Sequence, residues 1–219
     1  MKVTLIHPRN REDGTWWEKI AHFAARTARS IKTYDELIAE VEHSTEERRA
    51  AFLEAIIERE WSLDVAEMNT FIWHIANVPS WLMIELLRHR FIARDWSFEQ
   101  RSKRAIYGER IPVLNPFEGD DELFFEMNGL IEKSLALMAK AHKKGMSAEK
   151  VRYASLEGSV TSFVAAANAR TLHHFFTLRG SSDIDGNNTA APEFQKVADA
   201  MFEQAHQVSP LLFPRVLRS

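Results

Sequence analysis

Apolar positions recur along the chain with two different periods, and the changes of period divide it into elements. Residues 1–6 alternate, Val3 and Leu5 against Lys2 and Thr4, which predicts a short strand. Residues 16–30, rich in alanine and aromatic side chains, predict a helix. Thr33-x-x-Glu36 and Ser44-x-x-Glu47 both have the spacing of a capping box, so helices are expected to begin near Tyr34 and Thr45. The second carries Ala51, Phe52, Ala55 and Ile56 at helical spacing and runs to about Glu60. Residues 70–76 have the β-branched and aromatic bias of a strand. Pro79 then opens a helix whose apolar positions lead into Arg88-His89-Arg90.

Asn115-Pro116 and Glu118-Gly119-Asp120 mark a loop before the longest helix, capped by Asp120 or Asp121. Leu123, Met127, Leu130, Ile131, Leu135 and Met138 form its apolar side, and Lys143-Lys144-Gly145 gives it a cationic last turn and a glycine stop. Ser147 caps a short helix through Arg152. Residues 160–166 fit a strand or part of the next helix equally well, residues 168–179 read as a helix, and residues 180–189 form a turn-rich loop. Phe194, Val197, Ala198, Met201, Phe202, Ala205 and Val208 stripe a final helix that stops before Pro210. Neither a linker nor an internal repeat interrupts the chain. The expectation is one domain over residues 1–219, α+β in class, mostly helical with a small sheet.

Composition narrows the chemistry. With 45% hydrophobic and 27% charged residues and a net charge of −3, the 219-residue chain gives no electrostatic reason to expect nucleic acid as a partner. No apolar run approaches the roughly 18–20 residues that span a bilayer, so no membrane association is expected. The first residues carry too short an apolar stretch for a signal peptide, which makes a cytoplasmic location the expectation. The absence of cysteine excludes disulfides, zinc–thiolate sites and a thiol nucleophile. There is no HExxH, Walker A or GxSxG pattern. The adjacent His173 and His174 point about 100° apart on a helix, a poor clamp, so no metal is expected. The Asp183-Ile-Asp185-Gly186 string lacks the glycine position and distal glutamate of a calcium loop.

Three polar clusters remain. Arg88, His89 and Arg90 end one helix, and Arg94, Arg101, Lys103 and Arg104 follow. Guanidinium forks suit phosphate and carboxylate oxygens, and crowding them calls for an anion or acidic partners. A plain helix end explains part of this, since cations complement the dipole there and Glu85 lies one turn before Arg88. Arg152 is the second cluster, as an anion contact or half of a surface ion pair. Asn168, Arg170, His174 and Arg179 form the third, with Arg170 and His174 one turn apart on one face. The ordinary reading of His174 is a satisfied histidine on a packed helix face.

Taken together, the motifs resemble the flavin-dependent thymidylate synthases. The RHR hallmark of that family is Arg88-His89-Arg90, and its S-x-R element is Ser102-Lys103-Arg104. Its N-x-R-x-x-x-[NH]-F-x-x-L-R element runs from Asn168 through Arg170 and His174 to Arg179, with Arg152 as the upstream arginine. Ala190-Ala191-Pro192-Glu193-Phe194 is similar to the entry into the family's last helix. Of the early H-x-[ST]-x-x-E-H segment only Glu67 is kept, while Glu85 and Gln100 stand where glutamine and glutamate are usual.

The resemblance implies a thymidylate synthase-complementing protein-like fold with a central, mainly antiparallel sheet. It implies FAD as cofactor, NADPH as reductant, methylenetetrahydrofolate as one-carbon donor and dUMP as acceptor, in a homotetramer with shared active sites. It assigns Arg88, His89, Arg90, Asn168, Arg170 and His174 to FAD. It assigns Glu85, Gln100, Ser102, Arg104, Arg152 and Arg179 to dUMP, with Arg179 as the catalytic residue. A relative acting on UMP or dCMP is the alternative that Glu85 and Gln100 raise. A non-catalytic helical protein that binds RNA or a partner is the other.

Overall fold

The structure is a computed structural model and describes residues 1–59, 63–88, 96–102, 111–180 and 190–215. In chain order its elements are β1 (Lys2–His7), α1 (Arg11–Thr27), α2 (Tyr34–Glu42), α3 (Glu46–Glu54), β2 (Thr70–Pro79), α4 (Ser80–Arg88), β3 (Trp96–Gln100), α5 (Asp121–Lys143), α6 (Ala148–Val151), β4 (Val160–Asn168), α7 (Ala169–Arg179) and α8 (Pro192–Val208). A π-helical turn (Ala55–Arg59) extends α3, and 3-10 turns occupy Leu63–Met68 and Arg152–Ala154. The four strands form one antiparallel sheet in the order β1-β2-β4-β3, so the mostly helical α+β class holds.

Several boundaries follow local chemistry that periodicity does not carry. α1 starts at Arg11 rather than residue 16, because Asn10 caps it by accepting the Asp13 N–H at 2.9 Å. Its polar first turn shows no apolar period. Thr33 and Glu36 form the expected capping box of α2. In α3 the cap is Thr45, whose hydroxyl accepts the Arg48 N–H at 3.3 Å, while Ser44 donates to the Val41 carbonyl at 2.7 Å. Pro79 is the last residue of β2 and does not open α4; the Ser80 N–H turns toward the Glu157 and Ser159 carbonyls, 3.2 and 3.0 Å away. Residues 160–168 are strand, buried along most of their length, which is why alternation was absent from the sequence. β3 was not expected. Its signal is the alternation of Trp96, Phe98 and Gln100 with Ser97 and Glu99 inside a charged stretch.

The chain falls into two compact units. One comprises Val3–His74, His89–Phe98 and Val164–Ser219. Its core is aromatic: Phe213 meets Phe71 and Phe176 edge-on at ring distances of 5.1 and 5.7 Å, and Phe175, Leu172 and Met201 are fully enclosed. α1 lies against the end of α8 so closely that a methyl group on Gly14 would sit 1.7 Å from the Val208 carbonyl oxygen. Only glycine permits that approach. Beside it, buried Glu18 accepts from Arg11 at 2.9 Å, the Leu211 N–H at 3.2 Å and the Ser209 hydroxyl at 3.3 Å. Burial raises the Glu18 carboxyl above its ordinary value despite Arg11.

The segment after α8 is gripped by two histidines. His206 donates from Nδ1 to the Phe213 carbonyl at 2.7 Å, and fully buried His173 donates from Nε2 to the Leu212 carbonyl while stacking on Phe213. Burial pushes His173 down to about 4 from 6.5. Below about pH 6.5 the unfolded chain therefore takes up a proton that the folded chain refuses, so stability falls with acid down to about pH 4, at about 1.4 kcal/mol per unit. Urea midpoints at pH 7 and pH 5 measure this. In His173→Gln, which keeps a donor but does not titrate, the loss between those values should be smaller by about 2 kcal/mol. Equal losses in both proteins would remove His173 as the source.

The other unit comprises Met1–Lys2, Ile75–Arg88 and Glu99–Phe163. α5 dominates it, and only Ile131 among its residues is buried. The apolar side of α5 is not buried as a whole: Leu123 and Leu130 are exposed, while Met127, Leu135 and Met138 are half-buried. Ile131 lies about 100° round the helix from Leu130, so the leucine seam points away from the chain's own core.

Candidate functional site

α7 is the element on which the site is built. Asn168 ends β4 and caps the helix, its Oδ1 accepting the Thr171 N–H at 2.9 Å. A cap must accept, so the amide nitrogen is the end left over, and it has no partner among the described residues. The Ala169 N–H donates to the Asn69 carbonyl at 2.8 Å, and buried Asn69 donates in turn to the Trp17 carbonyl at 2.9 Å. These bonds fasten the first turn of α7 to the end of the Leu63–Met68 turn. Glu67 is thereby set against Arg170, which it holds in an ion pair. Sequence reading kept Glu67 only as a remnant of an early motif. Its role as the partner of Arg170 comes from the fold, across 103 residues of chain.

His174 follows Arg170 by one turn and is half-buried. Its neighbour His173 is buried and donates to the Leu212 carbonyl. Arg179 ends α7, where the Gly180 N–H closes the helix on the Phe176 carbonyl at 2.8 Å. Nine residues separate Arg170 from Arg179, about 180° of rotation and about 13 Å of rise. The helix therefore presents Asn168, Arg170 and His174 near its start and sends Arg179 to the far end and away from the Arg170 face.

The remaining described candidates lie in the other unit. Glu85 and Arg88 pair with each other at 2.9 Å on the exposed side of α4, as the helix-end reading expects. Gln100 donates from Nε2 to the Thr161 hydroxyl at 3.1 Å. Arg101 is committed to Ser162, through its N–H to the carbonyl at 2.9 Å and its guanidinium to the hydroxyl at 3.0 Å. These bonds set β3 against β4 and bring Ser102 to the exposed end of the strand. Arg152 opens the Arg152–Ala154 turn exposed, and its guanidinium has no acidic partner among the described residues. His89, Arg90 and Arg104, with Arg94 and Lys103, lie outside the described residues. Among those described, no three His, Cys, Asp or Glu side chains converge as a metal site, and no helix is long and apolar enough to cross a membrane.

The chain can be set beside known proteins. A flavin-dependent thymidylate synthase of Saccharolobus solfataricus is 28% identical over 207 residues, covering 90% of this chain and 71% of that protein. One of Sulfolobus acidocaldarius is 27% identical over 219 residues, covering 97% and 75%. Among solved structures, the UMP/dUMP methylase PolB from Streptomyces cacaoi, bound with 5-Br dUMP, superposes with a TM-score of 0.73 at 18% identity over 99% of this chain and 97% of that one. Thymidylate Synthase X (ThyX) from Helicobacter pylori, with FAD and dUMP, gives 0.69 at 20% identity over the whole of both chains. These two superpositions establish a ThyX-like fold. The family model for thymidylate synthase complementing proteins matches residues 15–211, and the chain belongs to that family.

Proposed function

We propose that the protein is a flavin-dependent thymidylate synthase that reductively methylates dUMP to dTMP, with methylenetetrahydrofolate as carbon donor and NADPH as reductant through FAD. It works as a single functional domain in a cytoplasmic homotetramer whose active sites are shared. Family membership and the names of the two relatives support the activity class. One observation carries the reading further. Asn168, Arg170 and His174 gather at the start of α7, with Glu67 holding Arg170, while Arg179 leaves the opposite side of the same helix. In the proposed assembly, a site takes these two groups from different copies.

The donor set fits a flavin dinucleotide. The uncommitted Asn168 amide and Arg170 offer donors to its pyrophosphate and polar edge, and His89, Arg90, His174 and Arg88 complete the set the motifs assign. When bound, reduced FAD supplies the hydride. The chain's own part is to bind and orient the pyrimidine, since it has no cysteine with which to activate the ring. Arg152, without an acidic partner, and Arg104 grip the phosphate of dUMP. Glu85, Gln100 and Ser102 address the rest of the nucleotide. Arg179, always protonated, stabilises negative charge developing around N3 and O4.

A second reading keeps the reaction class and changes the nucleotide. Gln100 is tied to Thr161 where the family usually has a carboxylate, and the PolB neighbour is named for both UMP and dUMP. The absorbance spectrum of the purified protein and tritium release from C5 of dUMP, UMP and dCMP test both. A flavin band with release from dUMP is expected. A flavin band with release from UMP or dCMP alone would favour the second reading. A colourless protein with salt-dependent RNA binding would reject both.

A further inference from the structure

The unit that carries α7 holds a cavity built from other elements, a pocket of about 430 Å3 between one face each of α1, α2 and α3. Its size is in the range of roughly 300–1,000 Å3 usual for small-molecule sites. α1 contributes His22 and Arg26, one turn apart, and α3 contributes Arg48 and Phe52 at the same spacing, with Ser44 just before its cap. α2 supplies Glu40 and its capping residue His43.

Charge in and around the pocket is unbalanced. Glu40 is the one carboxylate in the lining, and it is taken twice, by Arg26 at 2.9 Å and by Lys32 at 2.7 Å. Those bonds hold its carboxyl below the ordinary value. The Arg48 guanidinium lines the pocket with no acidic partner among the described residues. Behind the wall, Arg49 is only 4% exposed, and its guanidinium donates to the Ser44 carbonyl and hydroxyl at 3.2 and 3.4 Å. No described carboxylate comes within ion-pair distance of it; of the two whose charge it feels, Glu18 is bound by Arg11 and Glu47 is exposed at the start of α3. A buried guanidinium normally has a counter-charge. The lining thus sets two guanidiniums, Arg26 and Arg48, against one carboxylate that Lys32 also takes, with Arg49 behind them, on a chain that is acidic overall.

Two histidines add donors. His22 is 5% exposed, and its Nδ1 is buried without a partner. An orphaned N–H in that position costs more than an orphaned lone pair, so the proton belongs on Nε2, toward the opening. The His43 Nδ1 donates to the Ala39 carbonyl at 2.6 Å, which leaves Nε2 outward. Phe52, 4.5 Å from the His22 ring and under Arg26, provides an apolar wall.

We propose that this pocket binds the phosphate group of a small ligand, with Arg26 and Arg48 on the oxyanion, His22 and His43 as further donors and Arg49 supplying charge from behind. Donors that converge from three helices suit a tetrahedral oxyanion better than a planar carboxylate, and a phosphate monoester carries about −1.5 to −2 charges to offset the surplus. The shared chemistry covers free phosphate and the phosphate of a nucleotide. Nothing in this proposal depends on the activity proposed above.

The test uses the full chain in chloride buffer and follows the His22 and His43 imidazole resonances while inorganic phosphate, and separately AMP, is added. Saturable shifts of both rings in the low-millimolar range or tighter are expected. Arg48→Gln, an exposed substitution that keeps the fold, should weaken them at least about tenfold. Arg152→Gln, which alters the proposed dUMP phosphate grip, should leave them unchanged. Tighter binding of AMP than of phosphate identifies a nucleotide as the ligand class, and equal binding identifies free phosphate. Absence of saturable shifts with either ligand, or shifts unaltered in Arg48→Gln, overturns the proposal.

Discussion

Arg179→Ala is expected to lower turnover of dUMP by about 10²–10³, the usual effect of losing one donor aimed at developing charge. The flavin content of the purified protein should stay the same. The expectation rests on two features of α7. Arg179 ends the helix about 13 Å from Arg170 and about 180° round from it, so its loss leaves the Asn168, Arg170 and Glu67 group undisturbed. The chain has no cysteine thiol with which to activate the pyrimidine ring, so the weight falls on donors such as Arg179. Single-turnover measurements on protein loaded with FAD separate chemistry from binding. Unchanged dUMP affinity and turnover would show that the role belongs to another residue. A loss of bound flavin equal to the loss of activity would move Arg179 to the cofactor set.

Leu130→Asp combined with Leu137→Asp should reduce the assembly to smaller species and abolish turnover, while far-UV circular dichroism stays that of a folded chain. Leu123, Leu130 and Leu137 recur every seven residues along α5 and drift only roughly 20° per heptad, so they form one seam. Leu130 and Leu137 are 55% and 56% exposed. Burying one such leucine contributes about 1.5–3 kcal/mol, and a two-fold contact counts each residue twice. An uncovered seam of this length marks a surface made to be covered, and the assembly proposed above names a second copy as the cover. Sedimentation velocity reads the assembly directly. An unchanged sedimentation coefficient with full activity would exclude α5 from the interface. Loss of assembly with full activity would mean instead that each chain carries a complete site.

Local chemistry is legible in the sequence. The Thr33–Glu36 box, the Asp120 cap of α5, the glycine stop at Gly145 and the span of α7 each depend on a few neighbouring residues, and they appear where spacing put them. Spacing failed where a neighbour's interaction outweighed it. β4 is buried along most of its length and so shows no alternation, Pro79 serves the sheet, and β3 sits in a stretch whose charges masked its period. The motif residues were likewise present as a set, though sequence could not say what each of them touches.

What the sequence by itself determined is the inventory. It contains arginines, asparagine and histidine at fixed intervals, no thiol, and helices each with a definite apolar side. Only the tertiary structure decided the pairings: Glu67 with Arg170, His173 with the Leu212 carbonyl, Gln100 with Thr161, and an α5 whose leucines stand exposed. The reason is physical. Propensity and capping act over a few residues, whereas an ion pair across 103 residues exists only once the backbone between them has been folded and the two groups share one small volume.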